Sequence, residues 1–110
     1  MPRPALDLLR GTVDLLVLRT LAWEPMHGYA IAQFVKQRTD GAIALESAAL
    51  YQALHRLEKR KLVRAWWALT DTSRRAKFYE LTAAGRAALK TQSTDLRAYV
   101  TAIYRVLDAR

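Results

Sequence analysis

The chain has 110 residues, with 18 Lys or Arg against 10 Asp or Glu, a net charge of +8 and no cysteine. That length fits one domain near the lower end of single-core size, where assembly with a second copy adds stability. Lack of cysteine excludes disulfides and thiolate metal sites, and the charge balance suits a polyanionic partner.

Met1-Pro-Arg-Pro is followed by no apolar signal region, so a cytoplasmic protein is the expectation. Leu6, Leu9, Val13, Leu16, Val17 and Leu21 recur at three- and four-residue spacing, which predicts a first helix ended by Pro25. Leu15 and Leu18 widen its apolar face, so burial on more than one side is expected. Asp7, Arg10, Asp14 and Arg19 interrupt the apolar run and rule out a membrane span. Trp23 is expected to pack at the helix end. His27-Gly28 opens a second helix, with Ile31, Phe34 and Val35 inward and Lys36 and Arg38 outward. Asp40-Gly41 closes it, because glycine accepts the left-handed conformation that follows a last turn. Ile43 and Leu45 alternate with Ala42, Ala44 and Glu46, which suggests a very short extended segment.

Ser47 is a good N-cap for a third helix, since its hydroxyl can accept from an orphan backbone N–H. Leu50, Leu54 and Leu57 share one face and anchor that helix to the core, with Lys61 at the end of the row. Ala49, Gln52, Ala53 and Arg56 fall on another face, small-sided and tipped with hydrogen-bonding groups. Small residues let a helix approach base edges closely. Gln52 suits adenine N6 and N7, and Arg56 suits guanine O6 and N7 or a phosphate. The plainer alternative makes Ala49 and Ala53 good helix formers and Arg56 a solvated charge.

Val63 to Leu69 and Ala76 to Leu81 read as the strands of a hairpin, joined by a polar turn carrying Arg74 and Arg75. From Tyr51 to Glu80 eight basic residues, Arg56, Lys59, Arg60, Lys61, Arg64, Arg74, Arg75 and Lys77, meet three acidic ones, a local net charge of +5. A soluble basic surface is the bland explanation; a polyanion footprint is the sharper one. Trp66 and Trp67 are adjacent, so in a strand they point to opposite faces. One is expected in the core and the other at a subunit contact or over a cavity for a small-molecule effector.

Thr82 caps a last helix running to about Asp108, with Gly85 a tolerated local cost. Leu89, Leu96, Val100, Ile103 and Leu107 keep near-heptad spacing and present a seam to another helix. A two-fold homodimer would bury that seam and match a palindromic site. Alternatively, the seam folds back on the first helix.

The expected fold is therefore mainly α (α+β): a winged helix-turn-helix with a three-helix core and a two-stranded wing, plus a C-terminal dimerisation helix. Residues 1–82 would form the DNA-binding unit and 83–110 the dimerisation helix. In that layout the third helix enters the major groove of double-stranded operator DNA and the wing holds the backbone. The candidate DNA-binding residues are Ser47, Ala49, Tyr51, Gln52, Arg56, Lys59, Arg60, Arg74, Arg75 and Lys77. No cofactor and no metal site is expected. Two histidines, His27 and His55, with no cysteine and scattered acids supply no nucleophile–base set, so an enzyme is excluded. Each histidine reads better as structural or as a polar surface contact. The remaining alternatives are a non-specific nucleic-acid (RNA or DNA) binding winged-helix protein and a protein–protein module.

Four segments, in order, resemble the signatures of the PadR-type transcriptional regulators. They are Leu-Leu-Arg-Gly-Thr-Val-Asp-Leu-Leu-Val-Leu (8–18), His-Gly-Tyr-Ala-Ile-Ala (27–32), Ala-Leu-Tyr-Gln-Ala-Leu-His-Arg-Leu-Glu (49–58) and Arg-Arg-Ala-Lys-Phe-Tyr-Glu-Leu-Thr-Ala-Ala-Gly-Arg (74–86). The resemblance spans roughly residues 6 to 90. It implies a homodimeric winged-helix DNA-binding protein, usually a repressor released by a small molecule. The family commonly has Gly-Ser-Leu-Tyr-Pro where this chain has Ala48, Ala49, Leu50, Tyr51 and Gln52. Loss of the hydroxyl at position 49 removes one phosphate donor, and Gln52 adds a base reader. Tyr51 matches the family tyrosine, which implies a phosphate contact through its hydroxyl.

Overall fold

The computed structural model describes residues 4–110, and their side chains from residue 12 onward. Helix α1 (Pro4–Trp23) leads into a two-residue strand β1 (Met26–His27) and helix α2 (Gly28–Arg38). Helix α3 (Ser47–Lys59) precedes the hairpin β2 (Val63–Leu69) and β3 (Arg75–Leu81), and helix α4 (Ala83–Leu107) ends the chain. Leu6 and Leu9, expected inward on α1, lie outside the described side chains.

The core forms where the apolar stripes of three helices meet one face of the sheet. Val13, Val17, Leu18 and Leu21 of α1 pack with Ile31 of α2 and Leu50, Leu54 and Leu57 of α3; Met26, Val63, Tyr79 and Leu81 close the cluster. Val35 of α2 is buried as well. Thr20, the buried polar side chain among the described residues, donates from Oγ1 to the Leu16 carbonyl at 2.8 Å, so its hydroxyl is paired.

The sheet has three strands rather than the two expected, in the order β1-β3-β2, all antiparallel. Met26 pairs with Tyr79 and His27 with Phe78, so a strand too short to show any periodicity occupies the edge beside β3. The extended segment expected around Ile43 and Leu45 pairs with nothing and is irregular chain. The hairpin register runs from Val63↔Leu81 to Leu69↔Arg75. Its turn is closed by Thr70, whose N–H donates to the Arg74 carbonyl at 2.7 Å, with Ser73 in the left-handed region at φ 61°.

Caps set the helix ends. His27 caps α2, its Nδ1 accepting from the Ala30 N–H at 3.1 Å. The end of α2 is a paired return: the Gly41 N–H donates to the Lys36 carbonyl and the Asp40 N–H to Gln37, with Asp40 and Gly41 both left-handed. The end of α3 repeats this motif, with Leu62 N–H to Leu57 and Lys61 N–H to Glu58, and Lys61 at φ 61°. Glu46, not Ser47, is the residue before α3, and it makes no side-chain cap; Ser47 already lies in the first turn. Thr82 caps α4 as expected, accepting from the Gly85 N–H at 3.1 Å.

Gly85 is more than a tolerated cost. A Cβ at that position would lie 2.0 Å from the Leu62 carbonyl oxygen, so only glycine lets α4 pass the end of α3. None of the three tryptophans is core: Trp23 is 62 % exposed, Trp66 39 % and Trp67 58 %. Trp66 stacks on Phe78 across the sheet's outer face, with ring centres 6.2 Å apart. Trp23 lies near the Arg38 guanidinium, 6.0 Å from its ring centre.

Candidate nucleic-acid interface

Helix α3 presents its outward face by elimination. Leu50, Ala53, Leu54 and Leu57 are buried, with Ala53 at 0 % exposure, so Ala53 belongs to the anchoring face and not to the free one. An alanine is ambiguous on a sequence wheel, because its methyl fits a core or a surface equally well. Including it in the core turns the free face by roughly 80°, at about 100° per residue. The outward stripe is then Ala48, Gln52, His55 and Lys59, all exposed, with Arg60 at the C-cap. His55, which the sequence did not mark as a reader, lies at its centre. Ala49 falls on the flank and is half-buried.

Arg56 also leaves the free face. Its Nη2 donates to Asp14 Oδ1 at 2.7 Å and its Nε to Oδ2 at 3.4 Å, tying α3 to α1. That hydrogen bond to Asp14 raises an already high guanidinium pKa, against the opposing pull of desolvation. On the opposite flank Lys77 of β3 donates to Glu58 Oε1 at 3.0 Å, and its pKa rises for the same reason. Lys77 is thus half-occupied within the chain, over the Tyr79 ring at 5.7 Å. Arg64 pairs with Glu80 along the hairpin. Of the eight basic residues between Tyr51 and Glu80, the five without an ion pair among the described residues are Lys59, Arg60, Lys61, Arg74 and Arg75. They form two groups, one at the end of α3 and one at the wing turn.

An open groove of about 980 Å³ separates α3 from the wing, lined among others by Gly28, Tyr51, Trp67, Arg74, Arg75 and Lys77. Tyr51 leans over the start of α2: a Cβ on Gly28 would meet its hydroxyl at 2.6 Å, so glycine makes room for the ring. The tyrosine hydroxyl and the wing cations therefore line one groove. Arg75 stands over the Trp67 ring at 5.2 Å, a stacking that holds its guanidinium beside the groove. The structure thus brings Tyr51, Arg74, Arg75 and Lys77 together around the groove, with Gln52 on the adjoining stripe. It separates Arg56 from them. Among the described residues no group of acids and histidines could hold a metal ion, and no helix is long and apolar enough to cross a membrane.

Comparison with known proteins gives this arrangement a family. The model of the transcriptional regulator PadR-like family matches residues 17–91. An uncharacterized protein of Lysinibacillus sphaericus is 31% identical over 83 residues, 76% of each chain. Among solved structures, a transcriptional regulator from Clostridium thermocellum superposes with a TM-score of 0.83 at 26% identity, covering 90% of this chain and 96% of that one. A PadR family transcriptional regulator from Eggerthella lenta superposes at 0.79 with 28% identity, covering 96% and 90%. A PadR family transcription regulator from Clostridium difficile gives 0.74 at 26% identity, covering 86% and 97%. Such regulators are DNA-binding proteins and not enzymes. With most of its length matched and its winged helix superposed, this chain belongs to the PadR-like family of transcriptional regulators.

Proposed function

We propose that this protein is a cytoplasmic, sequence-specific repressor that binds a palindromic operator as a homodimer and is released by a small-molecule effector. The observation that carries the reading is the stripe Ala48, Gln52, His55 and Lys59 on α3, flanked at the helix end and the wing turn by cations without an ion pair among the described residues. A helix of this width fits the major groove, where Gln52 suits adenine and His55 offers a donor or acceptor to a base edge. Ser47, Tyr51, Lys59, Arg60, Arg74 and Arg75 contact phosphates, and Lys77 joins them if it exchanges Glu58 for the backbone. In this reading residues 1–82 read DNA and the helix over 83–110 dimerises. The seam supports that role: Leu89 packs on the core, whereas Val100 and Ile103, 37 % and 38 % exposed, and the exposed Leu107 lie outside the core cluster. An effector suits the exposed indoles Trp66 and Trp67 on the two faces of the wing, since planar aromatic ligands stack on such surfaces.

Selection from a random duplex library tests the function. The expected winner is an inverted repeat with half-sites about one helical turn, roughly 34 Å, apart, preferred over bulk DNA by about 10³-fold or more. Equal affinity for all duplexes would instead make the chain a non-specific binder.

A further inference from the structure

We propose that Arg56 is a positioning residue: paired with Asp14, it fixes the roll of α3 about its own axis and so selects which side chains face the DNA, without touching DNA itself. The inference rests on α3 being the reading helix.

Two ion pairs grip α3 from opposite flanks. Arg56 reaches α1 through Asp14 at 2.7 Å, and Glu58 reaches β3 through Lys77 at 3.0 Å. Positions two apart on a helix point about 200° away from each other, so the two pairs pull against one another across the helix. Between them the anchoring face is Leu50, Ala53, Leu54 and Leu57. Apolar contact is non-directional, and at Ala53 it amounts to one methyl, so packing alone resists rolling weakly on the flank beside Arg56. A guanidinium fork on a carboxylate is directional and supplies what the methyl lacks. The geometry matters at the DNA surface. With side-chain tips at a radius of about 5–6 Å, a roll of about 20° moves them by about 2 Å. That displacement takes a base contact out of hydrogen-bond range.

Half-exposed pairs contribute little to stability, which separates this role from a merely structural one. Arg56→Gln and Asp14→Asn should leave the melting temperature nearly unchanged. Selectivity for the preferred site over a scrambled duplex should nevertheless fall by about tenfold. The slope of log affinity against log salt should stay at the parent value, because no phosphate contact is lost. A charge exchange, Asp14→Arg with Arg56→Asp, should restore selectivity to within about threefold, whereas Arg56→Asp alone should not. If Arg56 instead touches DNA, Arg56→Gln lowers the salt slope by about one and the exchange fails to restore binding; either result overturns the proposal. A readout without DNA keeps it distinct from the functional reading: in the free protein, His55 and Gln52 resonances should shift in Arg56→Gln and return in the exchanged variant. Unchanged resonances would overturn the positioning role even if the protein binds DNA as proposed.

Discussion

At Gly85 a residue's helix propensity and its place in the fold lie far apart. Helix propensity ranks Gly85 as a small penalty in α4, yet its missing side chain is what allows the Leu62 carbonyl to approach. The same carbonyl accepts the Thr82 N–H at 3.1 Å, so it cannot simply turn away. Gly85→Ala should therefore destabilise the fold by about 1–3 kcal/mol, the range for overpacking, where propensity alone predicts a gain. The denaturant midpoint would decide between them. For His55 and Gln52 the expected outcome lies in binding. Either residue changed to Ala should lose about 1–3 kcal/mol of discrimination at one base position, with affinity for bulk duplex unchanged. Competition against singly substituted sites would measure it. The sequence placed Gln52 on the free face of α3, where it is exposed, but His55 was hidden by the ambiguity of Ala53, which shifted the expected face.

At the scale of elements, the helices and the hairpin follow the apolar spacing closely because long periodic segments carry a strong signal. Strand β1 does not: Met26 and His27 are held in the sheet by Tyr79 and Phe78, distant in sequence. The Ile43–Leu45 alternation had the converse fate, an extended pattern that pairs with no strand of the sheet. The tryptophans misled for a related reason, since a strand fixes which face a side chain points to and not whether anything covers that face. The wing turn carries its own prediction. Replacing Arg74 and Arg75 together with Ala should weaken binding to every sequence alike and flatten the salt slope by about two, close to one for each phosphate released. The slope measured for Arg56→Gln is the internal comparison, because that cation is already paired within the chain. A double wing variant with the parental slope would remove the wing from the interface.

For the molecule as a whole, α4 dominates the shape. It is the longest element, 25 residues, in a molecule measuring 57 × 33 × 22 Å, and its outer half leaves Tyr99, Tyr104, Val106 and Leu107 exposed. Association through that half would convert an exposed seam into a second core. Val100→Asp with Ile103→Asp should produce a folded monomer, because neither side chain belongs to the inner core, and operator affinity should fall steeply as half-sites bind singly. Sedimentation at micromolar concentration reads the mass directly; a wild-type monomer with undiminished operator affinity would exclude the dimer. The three exposed tryptophans described above also govern how this protein emits light. With Trp23, Trp66 and Trp67 all exposed, the native state should already emit toward the long wavelengths usually associated with unfolded chains, so heating should shift the emission maximum little. Trp67, lining the groove beside Arg75, should instead change intensity when duplex arrives. With those two outcomes, the wild-type chain would report its own occupancy without a label, and its own melting poorly.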